Sequence, residues 1–368
     1  MRIVGIELVD SLKVEVVVGR NILGLLGKFL ANRGYGKAFL VYDRRLPREF
    51  IEEVVGGLKK AKLELCTVAV EGGEHLKTVD TVVTLWKKMF DFRLSRGDMV
   101  IGFGGGTLTD TVGFAAATYM RGIDWTVIPT TLLAMADAAI GGKTGVNFGA
   151  KNLVGAYHHP KLVVEDVKLV KTLSWEDYVS GLAEVVKHAL LSSREFYQWL
   201  AENIEALRKK DLDAVEEAIT KSVEYKLSIV SRDYRETKGL RMLLNLGHTI
   251  GHAIERALDY QIRHGHAISI GLIAELWASH KLLGLPVEKI GEVATLLQSL
   301  GLPTTPPREA SLDRVLDFIR LDKKRRGDKL VLPLLKDIGK PKLVTLDLDE
   351  ALQLLGWAYK RSLSGAKP

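Results

Sequence analysis

Short apolar strands alternate with amphipathic helices through the first third of this chain, and this alternation constrains its fold more than any other feature. The apolar runs predict strands at Val14–Val18, Ala38–Tyr42, Glu64–Val70 and Met99–Phe103. The amphipathic stretches between them predict helices at Ile22–Asn32, Pro47–Lys60 and Val79–Phe92. Strands that alternate with helices form βαβ units, whose strands are parallel. The sequence therefore predicts an α/β domain built on a Rossmann-like parallel sheet.

The pattern of hydrophobic residues and glycines changes after about residue 170. Beyond that point long helical periodicities dominate, β-branched runs are few, and glycine clusters are almost absent until Leu246. The sequence therefore predicts two domains, an α/β domain at 1–170 and a mostly α-helical domain at 171–368. A chain of 368 residues is long enough for two such domains, each with its own core.

Composition narrows the class of protein. The single cysteine, Cys66, excludes an internal disulfide and any CxxC-type zinc site, so a metal would have to be held by histidines and carboxylates. The N-terminus alternates apolar and charged residues, and no run of about 18 apolar residues occurs. We therefore expect neither secretion nor a membrane span, and we expect the protein to be cytoplasmic.

The formal net charge is +7, from 52 basic and 45 acidic residues. Such an excess would permit a nucleic-acid partner, but that function requires Lys and Arg clustered with aromatic residues on one face. Only KKRRGDK at Lys323–Lys329 is strongly basic, and a solvated turn is its simplest interpretation. We therefore expect no nucleic-acid partner.

Three glycines, Gly104 to Gly106, join the strand Met99–Phe103 to a helix that we expect to begin near Thr109 and Asp110. Without Cβ atoms their backbone could approach a pyrophosphate closely, and the N–H groups of the helix start would complement its charge. A plain tight turn is the alternative. Asp43 follows another buried strand, at the place where dinucleotide-binding folds put an acidic group on a ribose hydroxyl, although the loop order is inverted here.

The segment from Pro129 to Asn152 is rich in small residues and carries only three charges, Asp137, Lys143 and Lys151. Lysines embedded among Gly, Ala and Thr favour an anion-binding site. A glycine-rich loop with solvated lysines is the alternative.

Histidines in the second half could bind a metal. His248 and His252 are four residues apart, which on a helix puts both rings on one face, and His264 follows. The same spacing is common in helices that bind no metal. Glu184 and Lys187, three residues apart, would also share a helix face, and an ordinary surface ion pair is the alternative there.

Six motifs occur in the order and approximate spacing of one enzyme family. They are GGGTLTD, DAAIGGKTGVN, GAKNLVGAYHHP, SGLAEVVKHAL, RMLLNLGHTIGHAIE and RHGHAISIG. From roughly Val41 to Leu335 the chain resembles the 3-dehydroquinate synthase family. The resemblance implies a homodimeric, NAD- and zinc-dependent lyase of the shikimate pathway of aromatic amino-acid biosynthesis. Its substrate would be 3-deoxy-D-arabino-heptulosonate 7-phosphate, and its products 3-dehydroquinate and phosphate.

The resemblance also implies an NAD-binding domain followed by a helical metal and substrate domain, with the active site in the cleft between them. The metal ligands would be Glu184, His248 and His264, a set that suits zinc, with cobalt or another divalent ion as the alternative. The NAD contacts would be Asp43, Glu74, Lys77, Gly104, Gly105, Gly106, Asp110, Thr130, Thr131, Lys143, Lys151, Asn152 and Thr172.

The same comparison gives the catalytic and substrate-binding groups. They would be Arg121, Asp137, Lys143, Lys151, Asn152, Lys187, Lys226, Arg241, Asn245, His252, Lys323 and Lys324, the last two of which alignment does not separate. One helical turn from His248, His252 would be a proton carrier rather than a fourth ligand.

The implied reaction explains the number of cations. Oxidation of one hydroxyl by NAD gives a ketone, which acidifies the neighbouring carbon, and loss of that proton drives the elimination of phosphate. The reduced cofactor returns its hydride, and ring opening is followed by an intramolecular aldol closure. Because the substrate carries a carboxylate and a phosphate, lysines and Arg241 would neutralise it.

The chain departs from the family pattern at two places. His266 stands where Glu is usual, two residues after the third ligand, and would change the surroundings of the metal. Thr107, Leu108 and Thr109 stand where small and aliphatic residues with a glycine are usual. Two related functions stay open, namely another sugar-phosphate cyclase whose substrate lacks the carboxylate, and a polyol dehydrogenase that would release NADH.

Overall fold

The chain divides into two compact units. The computed structural model describes residues 1–8, 12–321, 325–326 and 328–363. One unit comprises Met1–Ser174 and Val215–Arg235, and the other comprises Trp175–Ala214 and Glu236–Pro368. The sequence did not predict that Val215–Arg235 belongs to the first unit. Helical periodicity shows that a segment is a helix, but it does not show which core the helix packs against.

The strands of the described residues form three sheets. They are β1 (Arg2–Leu8), β2 (Leu12–Gly19), β3 (Lys37–Asp43), β4 (Glu64–Val70), β5 (Met99–Gly104), β6 (Trp125–Pro129), β7 (Lys143–Phe148), β8 (Ala150–Tyr157), β9 (Leu162–Asp166), β10 (Arg325–Arg326), β11 (Lys329–Asp337) and β12 (Lys340–Asp347). The main sheet has the order β1-β2-β9-β6-β5-β3-β4, in which only β1 runs antiparallel to its neighbour. Strands β7 and β8 form a separate hairpin.

The helices follow the same chain order. They are α1 (Leu26–Ala31), α2 (Arg48–Lys60), α3 (Val79–Asp91), α4 (Gly106–Thr118), α5 (Trp175–Ser192), α6 (Arg194–Glu202), α7 (Ile204–Arg208), α8 (Leu212–Val230), α9 (His248–Ala257), α10 (His264–Leu283), α11 (Val287–Ser299), α12 (Leu312–Arg320) and α13 (Leu348–Leu363). None of the helices in the described ranges combines the length and the apolar content that a bilayer crossing demands.

The predicted alternation of strands and helices is confirmed in the first unit. Its central strands β5, β6 and β9 are buried along their whole length, as expected for parallel strands covered on both faces. Helix α4 begins at Gly106 rather than near Thr109. Gly105 already adopts the extended conformation of an N-cap residue, so the first helical turn follows it directly.

The second unit is mostly helical, as predicted, but it also contains the small antiparallel sheet β10-β11-β12. Strand β11 is buried from Leu330 to Leu335. This apolar run is visible in the sequence, but a short buried run does not distinguish a strand from a helix by periodicity alone.

Glycines let three helices of the second unit approach one another closely. A Cβ atom on Gly265 in α10 would lie only 1.8 Å from the carbonyl oxygen of Ser180 in α5. A Cβ atom on Gly271 in α10 would lie 2.0 Å from the carbonyl oxygen of Gly247, directly before α9. At the starts of α9 and α10 the backbone therefore packs directly against the backbone of the neighbouring segment.

Gly265→Ala is expected to lower the free energy of unfolding by about 1–3 kcal/mol, because the added methyl group overlaps the Ser180 carbonyl and pushes α10 from α5. Guanidinium unfolding followed by circular dichroism measures the change. Gly356→Ala in α13 is the matched control, since its Cβ would lie at an ordinary 3.4 Å from Leu316 Cδ1. Equal losses in the two variants would contradict the close approach.

Glu165 is a fully buried carboxyl group in β9. Its exposure is 0%, and among the residues that the structure describes neither carboxyl oxygen has a hydrogen-bond partner. Burial raises the pKa of the Glu165 carboxyl well above its ordinary value. Folding therefore favours the protonated form of this side chain.

The stability contributed by protonated Glu165 is expected to be complete below the pKa of the unfolded chain and to decline as the pH rises, because the folded state binds the proton more tightly. Glu165→Gln removes this titration. Its free energy of unfolding relative to the wild type should therefore rise between pH 5 and pH 8, by at most about 1.4 kcal/mol per pH unit. Urea unfolding at both pH values tests this, and a constant difference would refute it.

Candidate active site

Three helices of the second unit bring a carboxylate and two imidazoles together. Glu184 lies in the middle of α5, whereas His248 and His264 are the first residues of α9 and α10. The distance from Glu184 Oε1 is 3.3 Å to His248 Nε2 and 3.2 Å to His264 Nε2. One ligand atom from each residue lies within 4.8 Å of the other two.

The other ring nitrogen of each histidine has its own partner. His248 Nδ1 lies 3.1 Å from the carbonyl oxygen of Leu246, and His264 Nδ1 lies 3.4 Å from Glu255 Oε2. In a neutral imidazole that donates from Nδ1 to these oxygens, the lone pair of Nε2 would be available to a metal beside Glu184, whereas a protonated Nε2 donates to Glu184. Two imidazole nitrogens that converge on a carboxylate fit a divalent transition metal and leave further coordination positions open.

The charges of this group are strongly coupled. Burial opposes ionisation of Glu184, but Lys187 and His248 outweigh it and hold the pKa of the carboxyl well below its ordinary value. Burial lowers the pKa of His248, which favours its neutral form. Burial also disfavours the charged form of His264, yet hydrogen bonds with Glu184 and Glu255 raise its pKa to about 10.

Lys187 belongs to the same group. Its Nζ lies 2.5 Å from Glu184 Oε2, and both side chains are 1% exposed. The surface ion pair that the sequence left open as an alternative is therefore wrong, because the pair is buried. A buried pair of this kind is stable only with close geometry and further partners, and the two histidines provide them for Glu184.

The other predicted residues of this unit occupy different environments. Arg241 is buried and Asn245 half-buried, at the two ends of the short helix Leu240–Asn245. The ring of His252 lies 5.1 Å from that of His248 and 5.9 Å from that of His264, measured between centroids. Ligand atoms of His252, Glu255 and His264 also lie within 4.8 Å of one another.

His266 has surroundings different from those of His264. The pKa of His266 lies below its ordinary value. Burial and the charge of Arg263 lower it, and they outweigh the opposite effect of Glu176 and Asp177 at the start of α5. The residue that departs from the family pattern is therefore surrounded by charges other than those of the ligand group.

In the first unit two buried lysines are each held by an aspartate. Lys77 Nζ lies 2.6 Å from Asp110 Oδ2. Lys226 Nζ lies 2.8 Å from Asp137 Oδ1 and donates to the carbonyl oxygen of Asp137 at 2.6 Å. Burial raises the pKa of Asp110, and the charges of Lys77 and Lys226 oppose that shift. These four residues, all predicted from the sequence, form a network of alternating charges.

The predicted glycine turn lies at the carboxyl edge of the main sheet. Gly104 ends β5, Gly105 precedes α4, and the backbone N–H of Thr130 donates to the carbonyl oxygen of Gly104 at 3.0 Å. Thr131 follows, and its Cγ2 lies 3.3 Å from the position that a Cβ on Gly105 would take. The structure therefore brings the glycines and both threonines together around the start of a 13-residue helix.

Asp43 ends β3, as predicted, but it is tightly engaged by Arg45. Its Oδ1 accepts from the backbone N–H and from Nε of Arg45, both at 3.0 Å, and its Oδ2 accepts from Nη2 at 2.7 Å. Burial opposes ionisation, but these hydrogen bonds and one from Gly72 hold the pKa of Asp43 below its ordinary value. A Cβ on Gly72 would lie 2.2 Å from Oδ2, so a larger residue there would displace the Asp43 carboxylate.

The β7–β8 hairpin carries three of the predicted residues, Lys143, Lys151 and Asn152. Asn147, which the sequence did not single out, connects the hairpin to Glu74. Its Nδ2 donates to Glu74 Oε1 at 2.7 Å, and its Oδ1 accepts from the backbone N–H of Asn152 at 3.0 Å.

Four predicted residues remain, Arg121, Thr172, Lys323 and Lys324. Arg121 is exposed, and the exposed Thr172 donates its hydroxyl to the carbonyl oxygen of Leu169 at 2.7 Å. Lys323 and Lys324 lie outside the described residues. Sequence reasoning also missed Glu255, although its place seven residues after His248, two turns along α9, is a signal that it faces the same side.

Comparisons with known proteins point to one family. The family model described as 3-dehydroquinate synthase N-terminal matches residues 67–180, and the one described as 3-dehydroquinate synthase C-terminal matches residues 181–325. A 3-dehydroquinate synthase from Saccharolobus solfataricus is 39% identical over 341 residues, which is 92% of this chain and 94% of the relative.

Two solved structures are also similar. One is a 2-deoxy-scyllo-inosose synthase complexed with carbaglucose-6-phosphate, NAD+ and Co2+, with a TM-score of 0.86 and 25% identity over 97% of this chain and 100% of the other. The second is ValA, a 2-epi-5-epi-valiolone synthase from Streptomyces hygroscopicus with NAD+ and Zn2+ bound, with a TM-score of 0.85 and 27% identity over 98% and 100%. Because two adjoining family models and a relative of 39% identity agree, the chain belongs to the 3-dehydroquinate synthase family.

Proposed function

We propose that this protein converts 3-deoxy-D-arabino-heptulosonate 7-phosphate to 3-dehydroquinate and phosphate, within the shikimate pathway. The observation that carries the proposal is the buried group of Glu184, His248 and His264, in a chain of the 3-dehydroquinate synthase family. We expect the enzyme to require NAD and a divalent metal.

Glu184, His248 and His264 would hold the metal, which we propose is zinc. A divalent metal bound there would act as a Lewis acid on hydroxyl oxygens of the substrate. Glu255 and the carbonyl of Leu246 would orient the two imidazoles through Nδ1, and Lys187 would hold the second oxygen of Glu184. The ValA structure with Zn2+ and the inosose synthase structure with Co2+ support both ions.

The first unit would bind NAD, which both similar solved structures contain. Bound NAD would accept a hydride from the substrate and return it later. The backbone N–H groups at the start of α4 would meet its phosphates, since Gly104 to Gly106 leave room for close approach. Asp43, Glu74, Lys77, Asp110, Thr130, Thr131, Lys143, Lys151, Asn152 and Thr172 stay predicted NAD contacts.

The substrate would be held by cations fixed in place by acidic partners. Lys226 is positioned by Asp137, and Lys187 by Glu184. The buried guanidinium of Arg241 presents a planar fork of donors that suits a carboxylate. Arg121, Lys143, Lys151, Asn152, Asn245, His252, Lys323 and Lys324 stay predicted substrate-binding or catalytic residues. An active site in a cleft between the two domains likewise stays a prediction.

A related sugar-phosphate cyclase is the second candidate, because the two similar solved structures are cyclases of other names. Arg241, Asn245, Lys151 and Asn152 occur together in this chain, which favours a substrate with a carboxylate. We further propose a cytoplasmic homodimer that binds a small phosphorylated sugar acid and no nucleic acid. Light scattering on the purified chain measures the oligomeric state.

The purified protein, supplied with the heptulosonate phosphate, NAD and Zn2+, is expected to release one phosphate per substrate without net NADH. The reason is that a hydride taken from the substrate is returned within the same reaction. Coupled phosphate detection and absorbance at the NADH band measure both products. Accumulation of NADH in proportion to substrate would indicate a polyol dehydrogenase. Turnover of glucose 6-phosphate, which lacks the carboxylate, instead of the heptulosonate phosphate would indicate another cyclase.

His264→Ala is expected to weaken Zn2+ binding by at least about 100-fold, because it removes a ligand. His266→Ala is the matched control two residues along the same helix, and it should retain the metal, since Arg263, Glu176 and Asp177 surround it. Chelator competition followed by elemental analysis measures both affinities. Loss of zinc from both variants alike would show that the ligand assignment is wrong.

A further inference from the structure

Glu275 is a fully buried carboxylate on α10 that binds the start of α9. Its Oε2 accepts from the backbone N–H of Gly247 at 2.7 Å. Its Oε1 accepts from the backbone N–H groups of Thr249 at 2.9 Å and Ile250 at 3.1 Å. The carboxylate thus receives three backbone hydrogen bonds, and the exposure of Glu275 is 0%.

Helix α9 depends on this carboxylate for its N-terminal cap. The first N–H groups of a helix have no partner within the helix, and a side chain at the N-cap position usually accepts from one of them. In α9 the N-cap residue is Gly247, which has no side chain and adopts a left-handed φ of 79°. Glu275 supplies the missing acceptor from a neighbouring helix, and its negative charge complements the dipole of α9.

The amide groups that Glu275 binds flank the metal-ligand position. Gly247 precedes His248, and Thr249 and Ile250 follow it, so the backbone is held on both sides of the histidine. A Cβ on Gly271, one turn before Glu275 in α10, would lie 2.0 Å from the Gly247 carbonyl oxygen. The chain at His248 therefore has little room to shift relative to α10, which also carries His264.

We infer that Glu275 is a positioning residue that fixes His248 in the geometry required for metal binding. The inference rests on the proposed metal site and adds a residue that acts through the backbone. Among side chains of this length, only ionised Glu has two terminal oxygens that both accept hydrogen bonds. In Glu275→Gln an amide NH2 group would face at least one backbone N–H donor, so the first turn of α9 would lose an acceptor.

The test measures metal binding by the full-length protein without NAD or substrate. Metal-free protein is titrated with Co2+ alone, under chelator competition, and the visible absorption of bound Co2+ reports the ligand geometry. We expect Glu275→Gln to weaken Co2+ binding by about 10- to 100-fold, as for other residues that orient a ligand, and to change the absorption bands. Glu275→Asp, which keeps the charge but shortens the side chain, is the second variant. Its Co2+ affinity and absorption bands test the inference if Glu275→Gln does not fold.

Ser279→Ala is the matched control, one turn further along α10. The buried hydroxyl of Ser279 donates to the carbonyl oxygen of Glu275 at 2.8 Å and accepts from the backbone N–H of Leu335 at 3.0 Å. This variant should lower the melting temperature, because it leaves a buried N–H without its acceptor, yet it should bind Co2+ with wild-type affinity and spectrum.

Two results would overturn the inference at different levels. Wild-type affinity and spectrum in the folded Glu275 variants, with lowered melting temperature only, would mean that Glu275 is purely structural. His248→Ala separates this result from failure of the proposed metal site. If His248→Ala loses Co2+ while the Glu275 variants keep it, only the positioning role fails, whereas wild-type binding by His248→Ala would remove the metal site itself.

Discussion

The ionised carboxylate of Glu184 is the constraint around which the second unit is arranged. A carboxylate that is 1% exposed is costly to bury unless cations and hydrogen-bond donors surround it. Lys187 from the same helix and histidines from two other helices do so, and this requires the starts of α9 and α10 to converge on the middle of α5. The group that could bind a metal is therefore also what compensates the buried charge.

Two buried cations of the first unit are also held by acidic side chains. Lys77 and Lys226 are both buried, and each is held by an aspartate at hydrogen-bond distance. An ammonium group has three N–H bonds, and the two oxygens of Asp137 that Lys226 contacts fix the direction of that ammonium group. The net charge of +7 is thus a poor guide to partners, since Lys77, Lys187 and Lys226 are each paired with an acidic residue.

The features that the sequence alone predicted correctly are those that depend on residues close together along the chain. The alternating strands and helices and the turn at Gly104 to Gly106 follow from local patterns, and the structure agrees with both. The meeting of His264 with Glu184 was expected from family resemblance, since spacing alone could not join residues 80 positions apart. Glu275 was missed, although one carboxylate in an apolar helix is a signal, because periodicity does not show which helix start it faces.

Gly265, Gly271 and Gly247 carry no reactive group, yet they set how closely α5, α9 and α10 approach one another. The spacing of the helices that carry Glu184, His248 and His264 is therefore set at positions other than those three residues. Side chains around this group could be exchanged while the glycines keep the spacing of the helices. Evolution of this fold toward new substrates would then leave these three glycines unchanged, although they carry no reactive group.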